Sequence, residues 1–249
     1  MRDDRTVVFP DLDSAPSVTM LQLTDTHLSA LQGVPASLRW LLGEIAADPP
    51  DLVALTGDIV FEDPDDVDDR RFARSVFAGL PRPLLTIPGN HDVGFYGDDD
   101  ARPHRVATFV DTWGSDRFSI DIAGWRVVGV NSYLLGDPDH DGWLADVVDV
   151  DRPVAVFCHQ PVADETNDGW EMPAFAVAAF DRAVDRADVR LVASGHRHRY
   201  ADRGRDVWAP STSIPGGDRD TWSDPRLGGV EFTFRNDGTL THRLIHAPV

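Results

Sequence analysis

Val18-Thr19-Met20-Leu21-Gln22-Leu23-Thr24-Asp25-Thr26-His27 opens as a strand-length apolar run and closes on a carboxylate and an imidazole two residues apart. The pattern recurs. Residues 52–55 lead into Gly57-Asp58, residues 84–87 into Gly89-Asn90-His91-Asp92, residues 154–158 into His159, and residues 189–193 into Gly195-His196-Arg197-His198. Runs of Val, Ile, Leu and Ala of this length read as buried strands. Five of them thus end in side chains able to hold a metal. In open α/β sheets ligands gather beyond the carboxyl ends of the strands, so these five ends can converge on one locus. Gly57, Gly89 and Gly195 suit tight turns off a strand, where the backbone needs freedom and close approach.

Working outward, a sixth run spans residues 125–130, and helical stripes lie between the strands. Leu38, Leu41, Leu42 and Ile45 fall on one helix face, as do Val106, Phe109, Val110 and Trp113, with Gly114 placed to end that helix. Phe72, Val76 and Leu80 form a third stripe and residues 175–184 a fourth. Strands alternating with helices predict an α/β fold with a largely buried sheet. Residues 229–234 and 239–245 flank Asn236-Asp237-Gly238, which predicts a hairpin. No repeat or linker divides the chain. Residues 1–17 read as a loose N-terminal extension, with residues 6–9 as a short edge strand, and residues 18–249 as a single domain.

Carboxylate, imidazole and amide oxygen are ligands for manganese, iron or zinc and require no thiolate. Asp25, His27, Asp58, Asn90, His159, His196 and His198 are more ligands than one tetrahedral ion needs. Two ions sharing a bridging carboxylate would use them all, at a separation of roughly 3.5 to 4 Å. Taken singly the pieces are weak, since Asp-x-His and Gly-Asp occur by chance in many chains. Taken together, in order and each at a strand end, they point to a dinuclear centre.

This series resembles the signature of the calcineurin-like metallophosphoesterases. The text around residues 21–28 and 88–92, with Ala209-Pro210-Ser211-Thr212-Ser213, is similar to the bacterial class III cyclic-nucleotide phosphodiesterases. The resemblance runs from about residue 18 to the C-terminus. It implies a four-layer αββα sandwich of two mixed β-sheets with a dinuclear metal site at the strand C-terminal ends. One divalent or trivalent transition-metal ion (Mn, Fe or Zn) would fall to Asp25, His27, Asp58 and His198, and a second to Asp58, Asn90, His159 and His196. His91 would face the substrate as the catalytic histidine, with Asp92 holding it. Some relatives carry a second histidine after the metal-binding one, where this chain has Gln160. The activity implied is hydrolysis of cyclic nucleotides (3',5'-cAMP-like) or related small-molecule phosphodiesters, the ions making a shared water nucleophilic toward phosphorus. Other phosphohydrolases, acting on phosphomonoesters, nucleotides or lipid pyrophosphates, fit the same ligands. An inactive scaffold fits poorly, because packing alone does not ask for seven convergent polar side chains.

The charge balance narrows the partners. With 42 acidic residues, 23 Arg and no Lys, the net charge is -19, which argues against general nucleic-acid binding through neutralised phosphates. The acidic runs at residues 62–69 and 98–100 read as solvated loops and helix starts. No apolar run approaches the ~20 residues of a membrane span. The N-terminus lacks the apolar stretch of a secretory signal, and the single Cys158 rules out an internal disulfide, so a cytoplasmic location is expected. A homodimer is carried as an expectation. His104, His140, His242 and His246 read as surface or structural residues, and Arg102 and Arg105 as solvent-exposed. Arg197 is a candidate contact for phosphate or base. Asp137-x-Asp139-x-Asp141-Gly142 resembles the opening of a calcium loop, but Val148 stands where the closing Glu belongs, so calcium is not expected.

Overall fold

The structure is a computed structural model that describes residues 7–162, 169–216 and 224–248. In chain order the first half comprises β1 (Val7–Val8), α1 (Pro10–Asp13), β2 (Ser17–Leu23), α2 (Ala36–Ala47), β3 (Leu52–Thr56), α3 (Val67–Phe77), β4 (Leu84–Ile87), α4 (Asn90–Val93) and α5 (Arg102–Trp113). The second half comprises β5 (Phe118–Ile122), β6 (Trp125–Gly129), α6 (Pro138–Val148), β7 (Val154–Phe157), α7 (Ala174–Val184), β8 (Val189–Ser194), β9 (Ala201–Arg203), β10 (Asp206–Trp208), β11 (Gly228–Arg235) and β12 (Leu240–His246). They build two mixed sheets, ordered β1-β5-β6-β7-β8-β10-β9 and β12-β11-β2-β3-β4. Within them β2, β3 and β4 run parallel, as do β6, β7, β8 and β10.

Why the strand runs are continuously apolar is visible in where alternate residues go. On β2, Val18 and Met20 face the second sheet while Leu21 and Leu23 face helices; on β3, Leu52 and Ala54 point inward while Val53 and Leu55 point outward. On β7, Ala155 and Phe157 join the inter-sheet layer and Val154 and Val156 the outer one. Both faces of both sheets are therefore covered. Leu38, Leu41 and Ile45 of α2, Phe77 of α3 and Phe109 of α5 close one outer layer, and Leu144 of α6 with Ala176 and Phe180 of α7 close the other. The result is the αββα sandwich.

Several expectations are refined. α3 buries Asp69, Ala73 and Phe77, with Phe72, Val76 and Leu80 flanking that face. Gly114 takes φ 97° and caps α5. Within the segment read as an extension, Val7–Val8 pairs in parallel with β5, and Phe9 and Leu12 pack against the inter-sheet core; Thr6 lies outside the described residues. No helix among the described residues is long and apolar enough to cross a membrane. Asp137 accepts from the backbone N–H groups of Asp139 and His140 and so caps α6. Arg102 and Arg105 are not solvent-exposed as expected. The acidic loops collect them: Arg102 donates to Phe95 O and Asp99 Oδ1, both at 2.6 Å, and Arg105 pairs with Asp65 at 2.8 Å.

Candidate metal centre

β2, β3 and β4 of one sheet and β7 and β8 of the other end on the same side of the sandwich, and the residues that follow them meet there. Six non-glycine residues among those described have positive φ, and five of them are Asp25 (52°), His27 (41°), Asp58 (50°), His196 (66°) and His198 (51°). A left-handed residue turns the chain sharply at a strand end, which lets near neighbours such as Asp25 and His27 face one point, at a cost of order 1 kcal/mol each. Gly57 (φ 99°) and Gly89 make the approach close enough. A Cβ on Gly57 would lie 2.4 Å from His159 Nδ1, and one on Gly89 would lie 2.1 Å from Asp58 Oδ1.

Each carboxylate has one oxygen held and one presented. Asp25 Oδ2 accepts from Thr24 Oγ1 (2.7 Å) and His196 N (3.0 Å), while its buried Oδ1 has no hydrogen-bond partner and faces His198 Nε2 at 3.2 Å. Asp58 Oδ1 accepts from His91 N (2.9 Å), and its Oδ2 lies 3.3 Å from His159 Nε2, 3.8 Å from His91 Nε2 and 3.9 Å from His27 Nε2. The imidazoles are oriented from behind. His27 Nδ1 donates to Phe61 O (3.1 Å) and His159 Nδ1 to Thr56 O (2.9 Å), which turns both Nε2 atoms toward the carboxylates. Ring nitrogens then crowd in pairs, His27 Nε2 to His198 Nε2 and His159 Nε2 to His196 Nδ1, each at 3.1 Å. Ring nitrogens brought this close and an orphaned buried carboxylate oxygen fit cations. Two donor sets result, Asp25 with His27 and His198, and Asp58 with His159 and His196, the ligand atoms of each lying within 4.8 Å. Asp58 also groups with His27 and His91, so its carboxylate joins both sets.

The electrostatics follow from burial. Burial works against charge on Asp25 and Asp58, yet His198 for the first and His159 for the second outweigh it and hold both carboxyls well below the usual range. Burial likewise opposes charge on His159, but Asp58 lifts it to about 9. His196, buried beside His159, is pushed down to about 3.

A calcineurin-like phosphoesterase model matches residues 18–200 of this chain, which contain every one of these groups. The chain belongs to that family. Among curated relatives it is 30% identical over 176 residues to the bovine (Bos taurus) serine/threonine-protein phosphatase CPPED1, covering 61% of this chain and 54% of that one. It is 35% identical over 126 residues to the glycerophosphodiester phosphodiesterase GpdQ of Enterobacter lignolyticus, covering 45% and 42%. The chain thus spans about half the length, or less, of these relatives. Among solved structures it shares the fold of a yellow lupin purple acid phosphatase (TM-score 0.67, 14% identity, 94% of this chain and 52% of that one). The same holds for a Danio rerio dimetal phosphatase (TM-score 0.60, 13% identity, 93% and 97%). For a calcineurin-like phosphoesterase with these donors, divalent metal ions are implied.

Around this family centre one predicted role changes. Asp92 does not hold His91. Its carboxylate accepts from Gly89 N (2.8 Å), Ile59 N (3.1 Å) and Val60 N (3.3 Å), and so ties the loop after β4 to the loop after β3, while His91 Nδ1 is buried without a partner. Burial, then the charge of Asp58, raises Asp92 to about 6 against the pull of those N–H groups. Asn90 is buried, and its Oδ1 accepts from the Tyr133 hydroxyl at 3.0 Å. Tyr133 escaped the sequence reading, although Asn131-Ser132-Tyr133 follows the run at residues 125–130 just as the site motifs follow theirs. Ser211 and Ser213, noted only as flanking text, both donate to Asp25 O, at 2.9 and 3.0 Å, and so steady its left-handed backbone. Arg197 lies over the Trp208 ring at 5.5 Å. His140 is buried, His242 pairs with Asp202 and His246 is exposed.

Proposed function

We propose that this chain is a metal-dependent hydrolase of small phosphodiesters, a class that includes the 3',5'-cyclic nucleotides suggested by its sequence. Asp25, His27, Asp58 and His198 would hold one ion, and Asp58, Asn90, His159 and His196 the other. Ions bound there supply Lewis acidity toward phosphoryl oxygens and a water deprotonated near neutral pH. The chain does the rest. Phe61 O and Thr56 O fix the rings of His27 and His159, Asp92 clamps the two loops, and Tyr133 steadies Asn90. His91, partly exposed with Nε2 turned toward Asp58, is the group free to donate to a phosphoryl or leaving oxygen.

One observation carries the choice of diester over monoester. Beside the centre opens a cavity of about 750 Å³ whose lining includes Phe95, Gln160, Val162, Glu171 and Asp181, with two carboxylates and no cation among its described lining residues. A diester carries one negative charge and a second alcohol to fill that space, whereas a monoester has no second alcohol and sets up to two charges beside its carboxylates. GpdQ, by name a phosphodiesterase, supports the reading; CPPED1, by name a protein phosphatase, supports the monoester alternative. The lone buried Cys158, its thiol pushed up by burial, supports a reducing compartment.

The test is hydrolysis, with added manganese, of 3',5'-cyclic and 2',3'-cyclic nucleotides, a nucleoside monophosphate and a simple aryl diester. Diesters are expected to turn over, and a chelator is expected to abolish both turnover and phosphate binding. Preference for the monophosphate, or full-rate diester hydrolysis by metal-stripped protein, overturns the proposal.

A further inference from the structure

A second cavity, of about 780 Å³, opens between the loop from α4 to α5, the first turns of α5, the loop after β6 and the first turn of α7. None of the proposed metal ligands lines it, nor does His91. Three aromatic rings form a corner there. Tyr96 stands 4.9 Å from Tyr133 at an interplanar angle of 43°, and 5.6 Å from Phe175 at 90°. Phe175 is 56% exposed, and Gly136, with φ 102°, lies so close that a Cβ on it would come within 3.3 Å of that ring. The side chain is thus held at the cavity without being buried there.

What the walls present follows from where their polar atoms go. The Tyr96 hydroxyl donates to Ser132 O at 2.8 Å and the Tyr133 hydroxyl to Asn90 Oδ1 at 3.0 Å, so both protons are engaged elsewhere and the rings face the space. Val106, Leu134 and Leu135 add apolar wall. Arg102, the cation among the described lining residues, is buried and committed, donating to Asp99 Oδ1 and Phe95 O, both at 2.6 Å. Asp137, exposed at the lip, caps α6 through Oδ1. One guanidinium against the carboxylates of Asp99 and Asp137 leaves the lining with negative charge in excess. Aromatic faces are themselves negative, so rings and carboxylates together attract a cation and repel an anion. A cation clothed in alkyl groups profits most, because it fills apolar space and gives up little hydration.

We infer that this cavity binds a small organic cation whose charge lies on an alkylated ammonium, with Tyr96, Tyr133 and Phe175 as its cage and Asp99 and Asp137 as its counter-ions. The site is separate from the metal centre, and the inference does not depend on which phosphoester is hydrolysed there.

The full chain, loaded with zinc so that the metal centre is filled by a diamagnetic ion, is titrated with three ligands of one shape. They are choline, 3,3-dimethylbutan-1-ol, in which carbon replaces the ammonium nitrogen, and the anionic 3,3-dimethylbutanoate, each followed by NMR of its methyl singlet. Choline should bind about tenfold or more tightly than the alcohol, and the anion should not bind. Phe175→Ala, at an exposed helical position, should weaken choline about fivefold or more. Asp137→Asn keeps an oxygen to cap α6 but removes a charge, and should weaken choline about threefold while leaving the alcohol unchanged. Circular dichroism and urea midpoints of both variants should match the parent. No choline binding by the parent, equal binding of choline and alcohol, or unchanged choline affinity in both variants overturns the inference. Choline affinity lost in Asp25→Asn but kept in Phe175→Ala places the cation at the metal centre and overturns it as well.

Discussion

His91 has its Nδ1 buried without a partner, and its side chain, 26% exposed, is more open than those of His198 at 20%, His27 at 4% and His159 at 0%. Replacing it with Ala should leave two ions bound by metal analysis yet lower kcat by about 10² or more, the scale of general-acid assistance; lost ions with unchanged kcat would reassign it. Asp92 should behave in the opposite way. Asp92→Ala strips the acceptor from three backbone N–H groups, so unfolding by urea should show a loss of about 3 kcal/mol or more, with metal affinity falling as the two loops separate. A third prediction concerns pH. His140 is held down at about 3 by burial and by Arg117, whose guanidinium donates to its Nδ1 at 2.9 Å. Its folded pKa lies below its unfolded one, so stability is full above about 6.5 and is lost as the pH falls and the unfolded chain takes up the proton. His140→Gln keeps an acceptor for Arg117 without titrating. Between pH 7 and pH 5 urea midpoints should move in its favour by about 2 kcal/mol relative to the parent, and parallel curves would refute this. Legibility at this scale was uneven. Aspartate, histidine and asparagine at strand ends announce themselves chemically, but a His-Asp pair does not say where the carboxylate points. Asp92 turns to backbone amides, which every residue carries and no sequence distinguishes.

The strands that deliver the site were the legible elements, because a run apolar on both faces is rare outside a covered sheet. β5 was not read as a strand. Asp121 interrupts its apolar run and is met by Arg126 across the ladder, at 2.7 Å, and by Arg152 at 3.3 Å, while Ala123-Gly124 makes the turn to β6 without the usual Asn-Gly signal. β9 and β10 are three residues each, too short to show a period. The hairpin of β11 and β12 was read from its turn, where Gly238 takes φ 80°. The turns off the strands carry the sharpest elemental prediction. Gly89→Ala places a Cβ 2.1 Å from Asp58 Oδ1 and 2.4 Å from Asp58 N, so the Asp58 carboxylate must move. Metal affinity should fall by about tenfold or more while circular dichroism keeps its α/β signature; unchanged affinity would mean that the loop gives way cheaply.

At the scale of the molecule, three apolar layers hold two sheets so that five strand ends meet on one side. The patterning alone required buried sheets with helical cover. That there are two sheets and not one followed only from the family resemblance, since a residue facing a second sheet and one facing a helix are equally apolar. The net charge of -19 is compatible with the anionic phosphoesters proposed as substrates, because surface carboxylates are screened beyond ~8 Å whereas direct coordination is not. The account therefore stands on Asp58 joining two donor sets into one centre. Equilibrium dialysis against manganese, followed by metal analysis of the parent chain and Asp58→Ala, measures this directly. Two ions per chain in the parent, falling to less than one in the variant at the same free manganese, is the result expected. One ion or none in the parent, or two held equally well without Asp58, would contradict it.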